Sequence, residues 1–161
     1  MQEAWGSASK TEMDKILILQ KRAMRLMTYN DTYPTVCGPL VSSDPIFAKL
    51  ETLKVMDIYK YQVSKFTYKS INKMAPDNFH NWFVINHERH GYSTRSNINI
   101  SDGTKIKNLF IPSVRTTNYG LKQLKSTGPR IWNALPLNLK NISSLHVFLK
   151  KLKLHYISEY G

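Results

Sequence analysis

The feature that most restricts the fold of this chain is the nine-residue run from Gly128 to Pro136 near its C-terminus. Proline lacks a backbone N–H and has a fixed φ, so helices seldom continue through it. Gly128 and the proline after it predict a turn, and Pro136 predicts the end of the element before it. Between them there is room for a single helical turn, with Ile131, Trp132 and Leu135 on one face. We therefore expect Trp132 and Leu135 to be anchors in a core.

The remaining chain is divided by proline and glycine into segments in which apolar residues recur at helical spacing. This spacing predicts a first helix over 11–29, a short helix that begins at Asp44-Pro45, a longer helix over 57–74 and a final helix over 143–160. The apolar residues of the first helix are expected to face inward; they are Ile16, Leu19, Ala23, Leu26 and Met27. The pattern predicts a mainly α fold class.

Short strands are expected between the long helices. Three apolar pairs predict them, namely Ile98 with Ile100, Leu109 with Ile111, and Leu121 with Leu124, the last as part of a hairpin that turns near 118–120. Before these pairs, Trp82 lies between two phenylalanines in a compact aromatic turn. Trp82 is therefore expected to be a third structural anchor.

The charge of the chain is strongly basic and unevenly distributed. Lys and Arg number 23 against 11 Asp and Glu, a formal net charge of +12. The stretch 103–158 contains ten Lys and Arg and no acidic residue. The first helix adds Lys21, Arg22 and Arg25, of which Lys21 and Arg25 are neighbours one turn apart. Such a surface favours polyanionic partners, and simple solubility is the alternative reading.

No pattern typical of a catalytic or metal site is present. His87 and His90 are the nearest approach to a metal pair, but a structural zinc site needs four ligands, and only the distant His80 and Cys37 could be added. The single cysteine excludes an internal disulfide. The N-terminus has no apolar signal region, and no stretch reaches the roughly 18 apolar residues of a membrane span. We expect a cytoplasmic or nuclear protein that is not secreted and has no membrane partner.

Several blocks in order along the chain resemble the C-terminal part of reverse transcriptases encoded by non-LTR retrotransposons of the jockey-like group. The run 128–136 is the last hallmark of that region, and it is preceded by Trp5-Gly6, 18–25, 45–53, 57–61 and Thr94-Arg95, and followed by 148–153. The Tyr-x-Asp-Asp motif, which holds the two metal ions of the palm in that family, does not occur in this sequence.

The resemblance implies the region after the palm of an RNA-directed DNA polymerase. It implies a helical thumb-like bundle in 1–84 and a basic C-terminal region with short strands and a terminal helix in 85–161, or one continuous domain. The chain would be a non-catalytic fragment that needs no cofactor, whereas the parent polymerase would use Mg²⁺. Together with the charge distribution, this implies phosphate contacts from seven cations: Lys21, Arg22, Arg25, Arg95, Lys122, Lys125 and Arg130.

The expected partners are RNA or an RNA–DNA template-primer, and the missing fingers and palm of the parent polymerase. Two other hypotheses fit the same composition. The chain could be an inactive retrotransposon relic whose charge is inherited, or a basic module that binds acidic proteins.

Overall fold

The computed structural model describes residues 8–28, 42–89, 107–116 and 120–161, the side chain of His87 excepted, and these residues are mainly helical, as predicted. A 3-10 turn spans Asp77–Phe79. The α-helices are α1 Lys10–Met27, α2 Asp44–Lys49, α3 Val55–Ile71, α4 Asn86–Arg89, α5 Leu124–Ala134, α6 Leu137–Lys140 and α7 Leu145–Ser158.

The chain divides into two compact units. Unit 1 comprises Met1–Tyr61 with Lys150–Gly161, and unit 2 comprises Gln62–Leu149. Both α3 and α7 therefore contribute residues to each unit. The sequence-based division into 1–84 and 85–161 stays a prediction.

The core of unit 1 forms where α1 packs against α2 and the C-terminus. Met24 of α1, Ile46 and Phe47 of α2, and Tyr160 make a buried apolar cluster. The Phe47 and Tyr160 rings meet edge to face, with centroids 6.2 Å apart. Tyr160, which follows the last helix, is therefore part of this core.

Tyr160 also satisfies polar groups at the start of α3. Its hydroxyl accepts a hydrogen bond from the Lys54 N–H at 3.0 Å and donates one to Asp57 Oδ2 at 2.7 Å. The Asp57 carboxylate is itself buried and pairs with Lys60 at 2.9 Å. Burial raises the pKa of the Tyr160 hydroxyl well above its ordinary value of 10.0, and the neighbouring Asp57 acts in the same direction.

The predicted inward face of α1 is wrong. The helix begins at Lys10, one residue before the predicted start, with Ser9 as its N-cap, and it buries Met13 and Met24. The predicted apolar set is solvent-exposed, with Leu19 61% and Leu26 78% exposed. The helix has apolar residues around more than half of its circumference, and packing on α2 covers the part that carries Met24. Spacing alone could not distinguish the two apolar faces.

The core of unit 2 is an aromatic stack. The ring of Tyr68, on α3, lies on that of Phe148, on α7, at 4.4 Å and 20°, and Trp132 of α5 packs beside both. The Tyr68 hydroxyl donates to backbone carbonyls at 142 and 143. The indole N–H of Trp132 donates to the Lys107 carbonyl at 2.7 Å. The Tyr68 hydroxyl and the Trp132 indole N–H therefore both have hydrogen-bond acceptors, while both rings are buried.

The predicted strands are not formed in the residues that the structure describes. Leu109 makes one isolated antiparallel bridge with Ile85. The backbone N–H and carbonyl of Leu109 are instead bonded to the side-chain amide of Asn133. This amide accepts a hydrogen bond from the Leu109 N–H and donates one to the Leu109 carbonyl, each at 2.8 Å. A side-chain amide thus replaces a second strand, so no ladder extends from this point. Leu124 begins a helix, so the predicted strand over Leu121 and Leu124 is wrong. The turn positions 118 and 119 and the pair Ile98 and Ile100 lie outside the described residues.

The Gly128-Pro129 pair does not make the predicted turn. Helix α5 runs from Leu124 to Ala134 with Pro129 inside it. Gly128 serves a close approach instead, since a Cβ atom built there would lie 2.7 Å from the Phe83 ring. The predicted stop is present, because α5 ends before Pro136, which caps the short helix α6.

Candidate nucleic-acid interface

Unit 2 carries most of the unbalanced positive charge. Its described residues include ten Lys and Arg, whereas Asp77 and Glu88 are the two acids among them. Lys140 is the buried exception among the cations: its ammonium donates to Asn108 Oδ1 and to the Asn133 carbonyl, and burial lowers its pKa. The other nine cations are at least partly accessible. Their field is therefore poorly compensated within the unit.

Three predicted phosphate ligands lie at or next to α5. Lys122 precedes the helix, Lys125 lies in its first turn, and Arg130 lies in its middle. All three side chains are exposed, and in the described part of the chain none of them forms an ion pair. Lys125 and Arg130 are separated by about 140° around the helix axis. A single straight phosphate backbone would therefore not readily contact both Lys125 and Arg130.

Trp82 lies beside Lys125. The Lys125 ammonium is 4.9 Å from the centroid of the Trp82 ring. Phe66 and Phe79 contact the same ring edge to face at 6.1 and 4.8 Å. Trp82 is half-buried, in contrast to Trp132 and Leu135, which are buried in the core. The tryptophan thus presents part of an aromatic ring next to a cation, the combination that binds unpaired bases and their phosphates.

The other predicted cations are divided between unit 1 and the residues outside the description. Lys21, Arg22 and Arg25 all lie on α1 in unit 1, where Arg22 is exposed and the other two are half-buried. Arg25 also has an interaction within the protein. Arg95 lies outside the described residues. The predicted set is therefore two groups of three, one in each unit, plus Arg95.

Two accessible arginines of unit 2 were not among the phosphate ligands predicted from the sequence. Arg89 places its guanidinium 3.8 Å from the centroid of the Phe110 ring, and Arg115 is exposed. Arg89 and Phe110 are 21 positions apart in the sequence, so no local spacing could have indicated their contact. The acid-free composition of 103–158 indicated further accessible cations, but that stretch includes only Arg115 of the two.

The described residues do not fit a two-metal polymerase site. No group of three His, Cys, Asp or Glu side chains in this part of the chain could hold a metal ion. Two-metal catalysis requires clustered carboxylates, and unit 2 offers only Asp77 and Glu88 within the described ranges. Cys37 and His90, two of the four candidate ligands named above, lie outside those ranges.

None of the described helices combines the length and apolar character needed to cross a bilayer. In comparisons with known proteins, no family model, no curated protein and no solved structure matches this chain.

Proposed function

We propose that this chain is the non-catalytic region downstream of the palm in the reverse transcriptase of a jockey-like non-LTR element, and that it binds RNA or an RNA–DNA template-primer. In this proposal the helical part acts as a thumb and the fingers and palm are its protein partners. Catalysis and Mg²⁺ belong to the parent polymerase. The observation that carries the binding proposal is the exposed Lys125 ammonium, 4.9 Å from the centroid of the half-buried Trp82 ring, with the exposed Lys122 three positions before it in the chain. Neither lysine forms an ion pair within the residues that the structure describes.

The physical basis is counterion release. A duplex binds a layer of counterions, and each phosphate that a lysine or arginine neutralises releases some of them. A cation that already has a carboxylate partner gains little from a phosphate. Lys122 and Lys125 have no such partner in the part of the chain that the structure describes, so they are suited to this role.

The experiment is a salt titration of binding to a fluorescently labelled RNA–DNA hybrid. The double variant Lys122→Gln/Lys125→Gln should lower the log–log salt slope by about 1.4 to 1.8, since each phosphate contact contributes roughly 0.7 to 0.9. The matched control is Lys150→Gln/Lys151→Gln, which removes two exposed charges from unit 1. Its slope should stay near that of the unmodified protein.

Equal slopes for the two double variants would show that total charge, rather than this site, determines binding. No detectable binding at low salt would reject the proposed function altogether. It would favour the relic hypothesis, which the genomic sequence upstream tests independently: an in-frame Tyr-x-Asp-Asp block supports a polymerase, and premature stops support a relic.

A further inference from the structure

A cavity of about 440 Å³ opens in unit 2 beside Phe83. Its apolar wall is formed by Ile71 at the end of α3, by Phe83 and by Ile85. Phe83 is buried and contacts the Phe66 ring, so this part of the wall belongs to the core, whereas Ile71 and Ile85 are partly exposed. The volume lies in the range of pockets that enclose one small molecule.

The rim of the cavity is polar and has unused hydrogen-bonding capacity. Asn81, Glu88 and Lys73 line it. Nothing in the described part of the chain forms a hydrogen bond or ion pair with these three side chains. His80 also lines the cavity, but its ring nitrogens already face the Ala75 carbonyl and Asp77. The groups available to a ligand are therefore one amide, one carboxylate and one ammonium.

We propose that this cavity binds a single unpaired nucleobase that carries an exocyclic amino group. A flat ring would lie against the apolar wall, while Asn81 can both donate to and accept from its edge. A carboxylate such as Glu88 only accepts, so it selects an amino group over a carbonyl. The Lys73 ammonium is suited to the phosphate of the same nucleotide. This inference rests on the proposed function, because the base would belong to the bound strand.

The adjacent position of Trp82 strengthens the assignment. Asn81 and Phe83, which line the cavity, are its immediate neighbours in the chain. A strand whose phosphates contact Lys125 could therefore stack one base on Trp82 and insert a neighbouring base into the cavity. A fully paired duplex offers no free base for this purpose, so the cavity would favour unpaired nucleotides.

The test is a titration of the whole chain with cytidine, in which binding is monitored through the methyl NMR signals of Ile71, Val84 and Ile85. These signals should shift, and uridine should bind at least several-fold more weakly. Asn81→Ala should weaken cytidine binding by about tenfold, which corresponds to the loss of one hydrogen bond. The control is Asn138→Ala, another exposed asparagine of unit 2, which should leave binding unchanged. Glu88→Gln should reduce the preference for cytidine over uridine.

Cytidine has no phosphate, so the result is independent of the proposed phosphate contacts. Absent methyl shifts, or equal losses in Asn81→Ala and Asn138→Ala, would overturn the base site even if the hybrid binds with a normal salt slope. An unchanged cytidine preference in Glu88→Gln would overturn the role of the carboxylate. Cytidine binding without any salt-dependent hybrid binding would support the cavity and reject the proposed function.

Discussion

Replacing Gly128 by alanine tests the packing of unit 2 directly. A Cβ atom at this position would lie 2.7 Å from Phe83 Cε1, 2.8 Å from Cζ and 3.2 Å from Thr67 Oγ1. Ordinary contacts begin at 3.4 Å, so the ring would have to move by several tenths of an ångström. Phe83 and Thr67 are both buried, and Phe83 also contacts Phe66, so neither neighbour can turn into solvent.

Two opposing effects set the magnitude of the change. Alanine is favoured over glycine inside a helix by about 0.8–1.0 kcal/mol. Overpacking a well-packed core costs about 1–3 kcal/mol. Since the steric effect is the larger, Gly128→Ala should lower the free energy of unfolding by about 1 kcal/mol, as measured by urea denaturation with tryptophan fluorescence.

A double-mutant cycle identifies the cause. Phe83→Leu removes the ring atoms that would collide with the new methyl group. In the Phe83→Leu background, Gly128→Ala should therefore become neutral or stabilising. If Gly128→Ala instead raises the free energy of unfolding by about 1 kcal/mol in both backgrounds, helix propensity alone acts at this site and the packing argument is refuted.

The remaining predictions concern unit 1. Leu26→Glu, on the exposed face of α1, should change the free energy of unfolding by less than about 0.5 kcal/mol in urea denaturation. Met24→Ala, in the buried cluster, should lower it by about 2–5 kcal/mol. A large loss of stability in Leu26→Glu would show that this face of α1 is covered. Tyr160→Phe should cost about 1–3 kcal/mol, because the Asp57 carboxylate and a backbone N–H lose their partner; an unchanged urea midpoint would argue against this network. The folded-state pKa of Tyr160 is raised above 10.0, so its contribution to stability is complete below pH 10 and is lost as the pH rises beyond that value, by up to about 1.4 kcal/mol per pH unit. Unfolding measured from pH 9 to 11 should therefore depend less on pH in Tyr160→Phe, and identical pH profiles would contradict the raised pKa.

Much of the local structure could be predicted from short-range patterns. Helical spacing indicated α1, α2, α3 and α7, and Asp44-Pro45 marked the start of α2. These predictions succeed because hydrogen bonding and side-chain proximity in a helix involve residues only three or four positions apart. The acid-free stretch 103–158 likewise depends on composition alone.

The errors share one physical cause, which is contact between distant segments. Nothing near Leu109 indicates that Asn133, 24 positions away, would occupy its free edge and prevent a strand. Nothing near Trp82 indicates that Lys125 would lie over its ring.

The sequence by itself determined a helical, strongly basic chain with an aromatic core, because spacing and charge are local properties. Tertiary structure decided which apolar face of α1 is covered, why Gly128 must be small, and which cations lie beside an accessible aromatic ring. Each of these depends on where a remote segment packs, and residue spacing within one segment carries no information about that position.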